Sequence, residues 1–165
     1  MKDSDPHKRA YAAALRFITL RPRSESEVRN RLARQFPPEV IATALHSLKS
    51  EGLLDDALYA RLWTESRVSR HPRSGRLIKR ELMSKGVASD LASDVVREID
   101  DVQGAYLAGS KQARKIAATD LPTFQRRLWS YLQRRGFSDS LSRSTTMRLW
   151  REIQDGLGAE SQEET

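Results

Sequence analysis

The sequence predicts an all-α protein made of three tandem three-helix, helix-turn-helix-like repeats, stacked into an elongated, solenoid-like molecule that is free to curve. Three observations carry this. The first is a fifty-residue period: three of the six prolines, Pro22, Pro72 and Pro122, stand fifty apart, and Arg21-Pro22-Arg23-Ser24 is echoed by His71-Pro72-Arg73-Ser74. Apolar columns keep the same step, with Val28, Ile78 and Leu128, then Leu32, Leu82 and Leu132, then Ile41, Leu91 and Leu141. The second is helical spacing inside each repeat, where these residues form i, i+4 pairs on one face. The third is the lack of any period-2 run of β-branched residues that would mark a strand.

In chain order, the first helix is expected over 8–20, carrying Tyr11, Leu15 and Ile18 on one side. The second spans 24–35 and opens on Ser24-Glu25-Ser26-Glu27, the form of a capping box. The third spans 38–50, with Pro38 and Glu39 suited to a first turn. The second repeat gives 56–70 after Asp55-Asp56, then 74–85 and 89–99, with Gly86 placed as a left-handed helix cap. The third gives 102–118, 122–135 and 139–154, with Gly136 as the matching cap; its period fades where Leu45 and Val95 meet Thr145. The expected divisions are a disordered 1–7, repeats at 8–54, 55–100 and 101–154, and an acidic disordered tail at 155–165. Each repeat is too small to bury enough apolar area alone, so neighbours must stack.

Composition narrows the function. The 165 residues contain no Cys, which excludes disulfides, thiol nucleophiles and Cys-ligated zinc. Lys and Arg number 29 against 22 Asp and Glu, for a net charge of +7. The last eleven residues hold Asp155, Glu160, Glu163 and Glu164 and no base, so the body is more basic than the whole. Such a body favours a polyanionic or acidic partner. No apolar run approaches the roughly 20 residues that span a bilayer, and the start lacks a signal-peptide core, so a cytoplasmic protein with no membrane partner is expected.

Catalysis is unmotivated. His7, His46 and His71 have no second histidine at helical spacing, no glycine-rich phosphate loop occurs, and the pairs Asp55-Asp56 and Asp100-Asp101 read as helix starts. No catalytic residue, metal ligand or cofactor is expected. The basic residues say more. Arg67, Arg70, Arg73, Arg76, Lys79, Arg80 and Lys85 crowd one stretch against the single acid Glu81, and Arg126, Arg127, Arg134 and Arg135 surround the third repeat's Phe124, Leu128, Tyr131 and Leu132 stripe. Basic helices repeated along a molecule suit a phosphate backbone, and equally an acidic groove on a protein. Trp63, Trp129 and Trp150 are read as packing residues, with stacking on bases as the alternative.

The words Gly52-Leu53-Leu54-Asp55-Asp56-Ala57-Leu58-Tyr59-Ala60, then Gly75-Arg76-Leu77-Ile78-Lys79-Arg80-Glu81-Leu82 and Lys85-Gly86-Val87, resemble the RecX family, modulators of the RecA recombinase. Arg21 to Arg29 resembles the start of that family's second helix, and Phe124 to Phe137 its third-repeat word, so the likeness covers about 8–154. Phe36-Pro37-Pro38 departs from the glycine turn seen at Gly86-Val87 and Gly136-Phe137, and the last helix is polar. The resemblance implies a non-catalytic, monomeric regulator that binds the RecA–DNA filament and single- and double-stranded DNA largely independently of sequence. It would inhibit recombinase, ATPase and co-protease activity in DNA repair and the SOS response. A helix-turn-helix DNA-binding protein or a basic helical-repeat adaptor stands as the alternative.

Overall fold

Short polar side chains write the helix starts. In the computed structural model, which describes the backbone of residues 5–163 and the side chains of residues 5–156, Asp5 accepts from the His7 amide at 2.9 Å and opens α1 (Pro6–Leu20). Ser24 opens α2 (Glu25–Leu32) with a complete capping box: its hydroxyl accepts from the Glu27 amide, and the Glu27 carboxylate accepts from the Ser24 amide, each at 3.2 Å. Pro38, with no amide hydrogen to leave unsatisfied, begins α3 (Pro38–Ser50). Asp55 accepts from the Ala57 and Leu58 amides ahead of α4 (Asp56–Ser69). Ser74 accepts from Leu77 N at 3.1 Å at the head of α5 (Gly75–Ser84), and α6 (Ser89–Val96) follows. Asp100 and Asp120 cap α7 (Asp101–Lys115) and α8 (Leu121–Arg134), and α9 (Asp139–Glu163) closes the series. The result is three groups of three helices, with no strand among the described residues.

Several boundaries differ from the sequence expectation, among them the end of α7 at Lys115 instead of 118, and four show a local reason. Helix α1 starts at Pro6, inside the stretch expected to be disordered, because Asp5 supplies its cap; residues 1–4 lie outside the described residues. Helix α2 stops at Leu32 instead of 35. No glycine follows it, Ala33 stays right-handed, and the amides of Gln35 and Phe36 both turn back on the Leu32 carbonyl. Helix α6 ends at Val96 instead of 99, where Ile99 N bonds Val96 O and Asp100 starts the next helix. The acidic tail, expected to be disordered from 155, is helical to Glu163 and continues α9. Gly156 and Gly158 weaken that extension by about 1 kcal/mol each, while Ala159, Glu160, Gln162 and Glu163 favour it and no proline interrupts it. Residues 164–165 of the tail lie outside the described residues.

The fifty-residue columns are the core. Val28, Leu32, Ile78, Leu82, Leu128 and Leu132 are all at most 2% exposed. Position 145 keeps its place inside although it is threonine, and neighbouring Thr146 satisfies its hydroxyl on Ser142 O at 2.7 Å. The chain divides into two compact units that do not follow the repeat borders: Met1–Thr64 with Arg80–Val95, and Glu65–Lys79 with Val96–Thr165. In the first, Ala10, Ala14, Val28, Leu32, Val40, Ile41, Ala44, Leu45, Leu48 and Leu54 form a continuous core. In the second, Phe124, Leu128, Leu132, Phe137 and Leu149 pack on a small-residue face of α7, Ala105, Ala108 and Ala113. Gly109 lies on the same helix, where an added Cβ would stand 2.8 Å from Leu149 Cδ1.

Within each unit, one repeat is joined to the next by the same device. In the first unit the buried Ser24 hydroxyl donates to Lys85 O at the end of α5, and Gly86, at φ +81°, turns the chain directly over Ser26. In the second unit Ser74 N donates to Arg135 O at the end of α8, and Gly136, at φ +86°, turns over Ser74 and Leu77. An aspartate reinforces each joint. Asp56 accepts from the Glu25 amide and Asp101 from the Gly75 amide, both at 2.8 Å. The first joint also gathers charge: Glu27 lies 3.3 Å from Arg21, 3.6 Å from Arg23 and 4.0 Å from Lys85. Burial pushes the Glu27 carboxyl up, but the Ser24 amide and the three cations outweigh it and hold the group below its ordinary range. Burial, with the Glu27 charge adding to it, pushes the neighbouring Tyr59 phenol up to about 12.

Gly52 shares the left-handed conformation at φ +70° but has open space around it. Gly52→Ala should therefore cost about 1–2 kcal/mol from backbone strain alone. Gly86→Ala, whose Cβ would fall 2.2 Å from Ser26 Cβ, should cost about 1–3 kcal/mol more. Urea midpoints of the two variants measure the difference, and equal losses would show that the Gly86 joint is not tightly closed. Because the Glu27 pKa is depressed on folding, its contribution is present above the unfolded glutamate value of about 4.3 and lost as pH falls through the folded value. The melting-temperature gap between wild type and Glu27→Gln should accordingly be full at neutral pH and shrink in acid; a pH-independent gap would contradict this origin.

Candidate nucleic-acid interface

Charge is divided unequally between the two units. The first carries thirteen Lys and Arg against eleven Asp and Glu, the second sixteen against eleven, four of those acids lying in the final stretch from Asp155. The second joint differs from the first in the same sense. Where the first has Glu27 beneath its cations, the step of fifty places Leu77, and Ser26 becomes Arg76. The carboxylate that pairs with the first joint's cations is thus replaced by an apolar side chain, and a guanidinium is added beside it.

In this joint Arg135 Nη1 donates to Pro72 O at 3.3 Å, and its guanidinium lies 4.6 Å from the Tyr131 ring centre. Arg76 Nη2 donates to Gly136 O at 3.3 Å. These bonds satisfy one carbonyl just past the end of α8 and one in the turn before α5, and they tie the 72–76 and 134–136 segments together, so Arg76 and Arg135 build the joint as well as charging it. Arg73 is half-buried beside them with interactions of its own, as has half-buried Arg67. Arg70, Arg127 and Arg134 are exposed, and their side chains meet no ion-pair partner among the described residues. Lys79 is half-buried on the same basis. Arg80 and Lys85 belong to the first unit, where Lys85 is occupied by Glu27 and lies 5.7 Å from the Trp63 ring.

Arg126 takes a different position. It lines a groove of about 510 Å³ between α8 and α9, with Pro122, Gln125, Trp129, Arg143, Thr146 and Met147. Trp129 Nε1 donates to Asp139 at 2.8 Å, Arg143 Nε donates to the same carboxylate at 2.8 Å, and the Arg143 guanidinium lies 5.6 Å from the indole centre. The Arg143 and Trp129 donors hold Asp139 below the usual carboxylate range. The other two tryptophans are packing residues: Trp63 donates to Glu81 at 3.0 Å and lies 5.9 Å from Tyr59, and Trp150 meets Phe124 at 5.0 Å.

Sequence reasoning passed over two further sets of cations in the second unit. Lys111, Arg114 and Lys115 are exposed at i, i+3 and i+4 on α7, a spacing legible in KQARK but passed over in favour of the denser stretch upstream. Arg143 was overlooked because its helix reads as polar throughout. Among the described residues no group of three or more His, Cys, Asp or Glu converges as a metal site, and no helix is long and apolar enough to cross a membrane.

Comparison with known proteins fits this architecture. The family model of the first three-helix domain of RecX matches residues 10–48, and that of the second matches residues 55–96. A regulatory protein RecX of Mycobacterium avium is 36% identical over 146 residues, 84% of each chain. One of Thermobifida fusca is 34% identical over 160 residues, covering 94% of this chain and 84% of the relative. The crystal structure of RecX from Lactobacillus salivarius superposes with a TM-score of 0.74 at 21% identity, over 88% of this chain and 97% of that one. A further RecX crystal structure gives 0.71 at 20% identity, over 92% and 73%. With two domain models matched in sequence and relatives above 30% identity along most of their length, this chain belongs to the RecX family of regulatory proteins.

Proposed function

We propose that this chain is a non-catalytic regulator that binds the RecA–DNA filament and inhibits the recombinase, ATPase and co-protease activities of RecA, acting in DNA repair and the SOS response. The observation that carries the nucleic-acid part is the set of exposed, unpaired arginines on the second unit, chiefly Arg70, Arg127 and Arg134, in the unit whose joint has leucine where the first joint has Glu27. Guanidinium groups free of internal carboxylates can exchange condensed counterions for protein contacts at phosphates. The amides of α8 support binding that ignores base sequence. Gln125 donates to Met147 Sδ, and Gln133 donates to Phe137 O and Ser142 Oγ, so the N–H groups of both amides are engaged inside the protein. Arg76 and Arg135, with backbone carbonyls as partners, hold the surface in shape while contributing charge to it.

Single-stranded-DNA-dependent ATP hydrolysis by RecA from the same source, titrated with this protein well below one per RecA and repeated with excess DNA, tests the proposal. Inhibition should appear at low stoichiometry and survive the added DNA. Arg127→Glu with Arg134→Glu should weaken DNA binding about equally on unrelated sequences and flatten the logarithmic salt slope by about one to two, at an unchanged melting temperature. No inhibition at any ratio, or an unchanged salt slope, would overturn the corresponding half of the proposal.

A further inference from the structure

The first unit carries an apolar groove that its repeat does not need. The groove, about 510 Å³ in volume, lies between the end of α1 and the beginning of α4. Leu20, Leu53, Leu58 and Leu62 line it while remaining 79%, 45%, 45% and 42% exposed. The fifty-residue period supplies an internal control. The step carries Leu15 to Glu65, Leu20 to Arg70, Leu53 to Gln103 and Leu62 to Gln112. At those four places the second unit carries charged and amide side chains, while Leu58 steps to buried Ala108 and Ile18 to exposed Val68, so leucine at 15, 20, 53 and 62 is not a requirement of the period. Contiguous exposed leucines where a polar set would serve mark a docking surface.

We infer that this groove binds an amphipathic helix of a partner protein, with aliphatic side chains at i, i+3 or i+4 and i+7 and with carboxylates on its flanks. The leucine pair Leu58 and Leu62, one turn apart on α4, faces α1 across a trough of the kind that receives a helix ridge. Charge selects the flanks. Asp55, the carboxylate that lines the groove, is committed to the Ala57 and Leu58 amides. Arg16 and Arg61, exposed next in sequence to the lining residues Leu15 and Leu62, meet no ion-pair partner among the described residues. Open positive charge beside an apolar floor suits an acidic-flanked helix. The near balance of acids and bases across the unit disfavours a phosphate backbone. This surface is separate from the basic one on the second unit and does not depend on the RecA–DNA reading.

A display library of helical peptides with randomised flanks, selected on the full chain, tests the inference. Enriched peptides should carry the aliphatic stripe with Asp or Glu beside it. Leu53→Gln with Leu62→Gln, which installs the residues of the second unit's equivalent positions, should weaken those peptides by about tenfold or more while leaving DNA affinity and melting temperature unchanged. Should that pair perturb folding, Arg16→Glu with Arg61→Glu, exposed at both sites, keeps the test open and should turn the selection towards Lys and Arg flanks. Enrichment without the stripe would overturn the inference, as would peptides indifferent to both variants or flanks indifferent to charge reversal. So would oligonucleotide binding lost in the leucine variant. Self-association that Leu53→Gln with Leu62→Gln abolishes would assign the groove to a second copy of this chain instead.

Discussion

The structure depends on one contact made twice: the carbonyl end of a repeat's middle helix seated on the amino end of the preceding repeat's middle helix. Ser24 meets Lys85 O, and Ser74 N meets Arg135 O. The partial charges at the two helix ends are opposite in sign, and both ends would otherwise carry unsatisfied backbone groups. Everything near the joints is fitted to that approach. A glycine must follow the last helical turn, because its left-handed φ reverses the chain and because a Cβ there would occupy the space of Ser26 or of Leu77. The aspartate opening the following helix must reach back to the next free amide.

Sharing of elements follows from the same contact. Helix α5 contributes its first half to one compact unit and its second half to the other, because its start receives a joint and its end makes one. The middle repeat therefore has no core wholly its own, in keeping with nearest-neighbour stabilisation of repeat proteins. Charge is divided along the same line. The joint with Glu27 sets one carboxylate among its cations and adjoins an apolar groove, whereas the joint with Leu77 and Arg76 has no carboxylate at that place.

Much of the fold was legible because it is periodic. The proline step, the i, i+4 pairs and the capping box at Ser24 each identify a local constraint that packing then obeys. Boundaries were less legible where the ending is decided by a missing residue, as at Leu32, which no glycine follows. The site was legible only as composition. Counting bases found Arg76, Lys85 and Arg135, but not that all three are tied to internal partners; that depends on carbonyls and a carboxylate brought close by the joints. Conversely, α7 offered a basic face at plain helical spacing that density of charge obscured.

The joint also sets an order in time. The hydroxyl of Ser24 has its carbonyl partner 61 residues further along the chain. While the protein is being synthesised, the first three helices can emerge and close around their own leucines, yet the lead end of α2 stays unfinished until α5 has left the ribosome. The same delay recurs from Ser74 to Arg135. The ending of α2, closed by Phe36 and two prolines in place of a glycine turn, makes no such joint and waits for no later part of the chain.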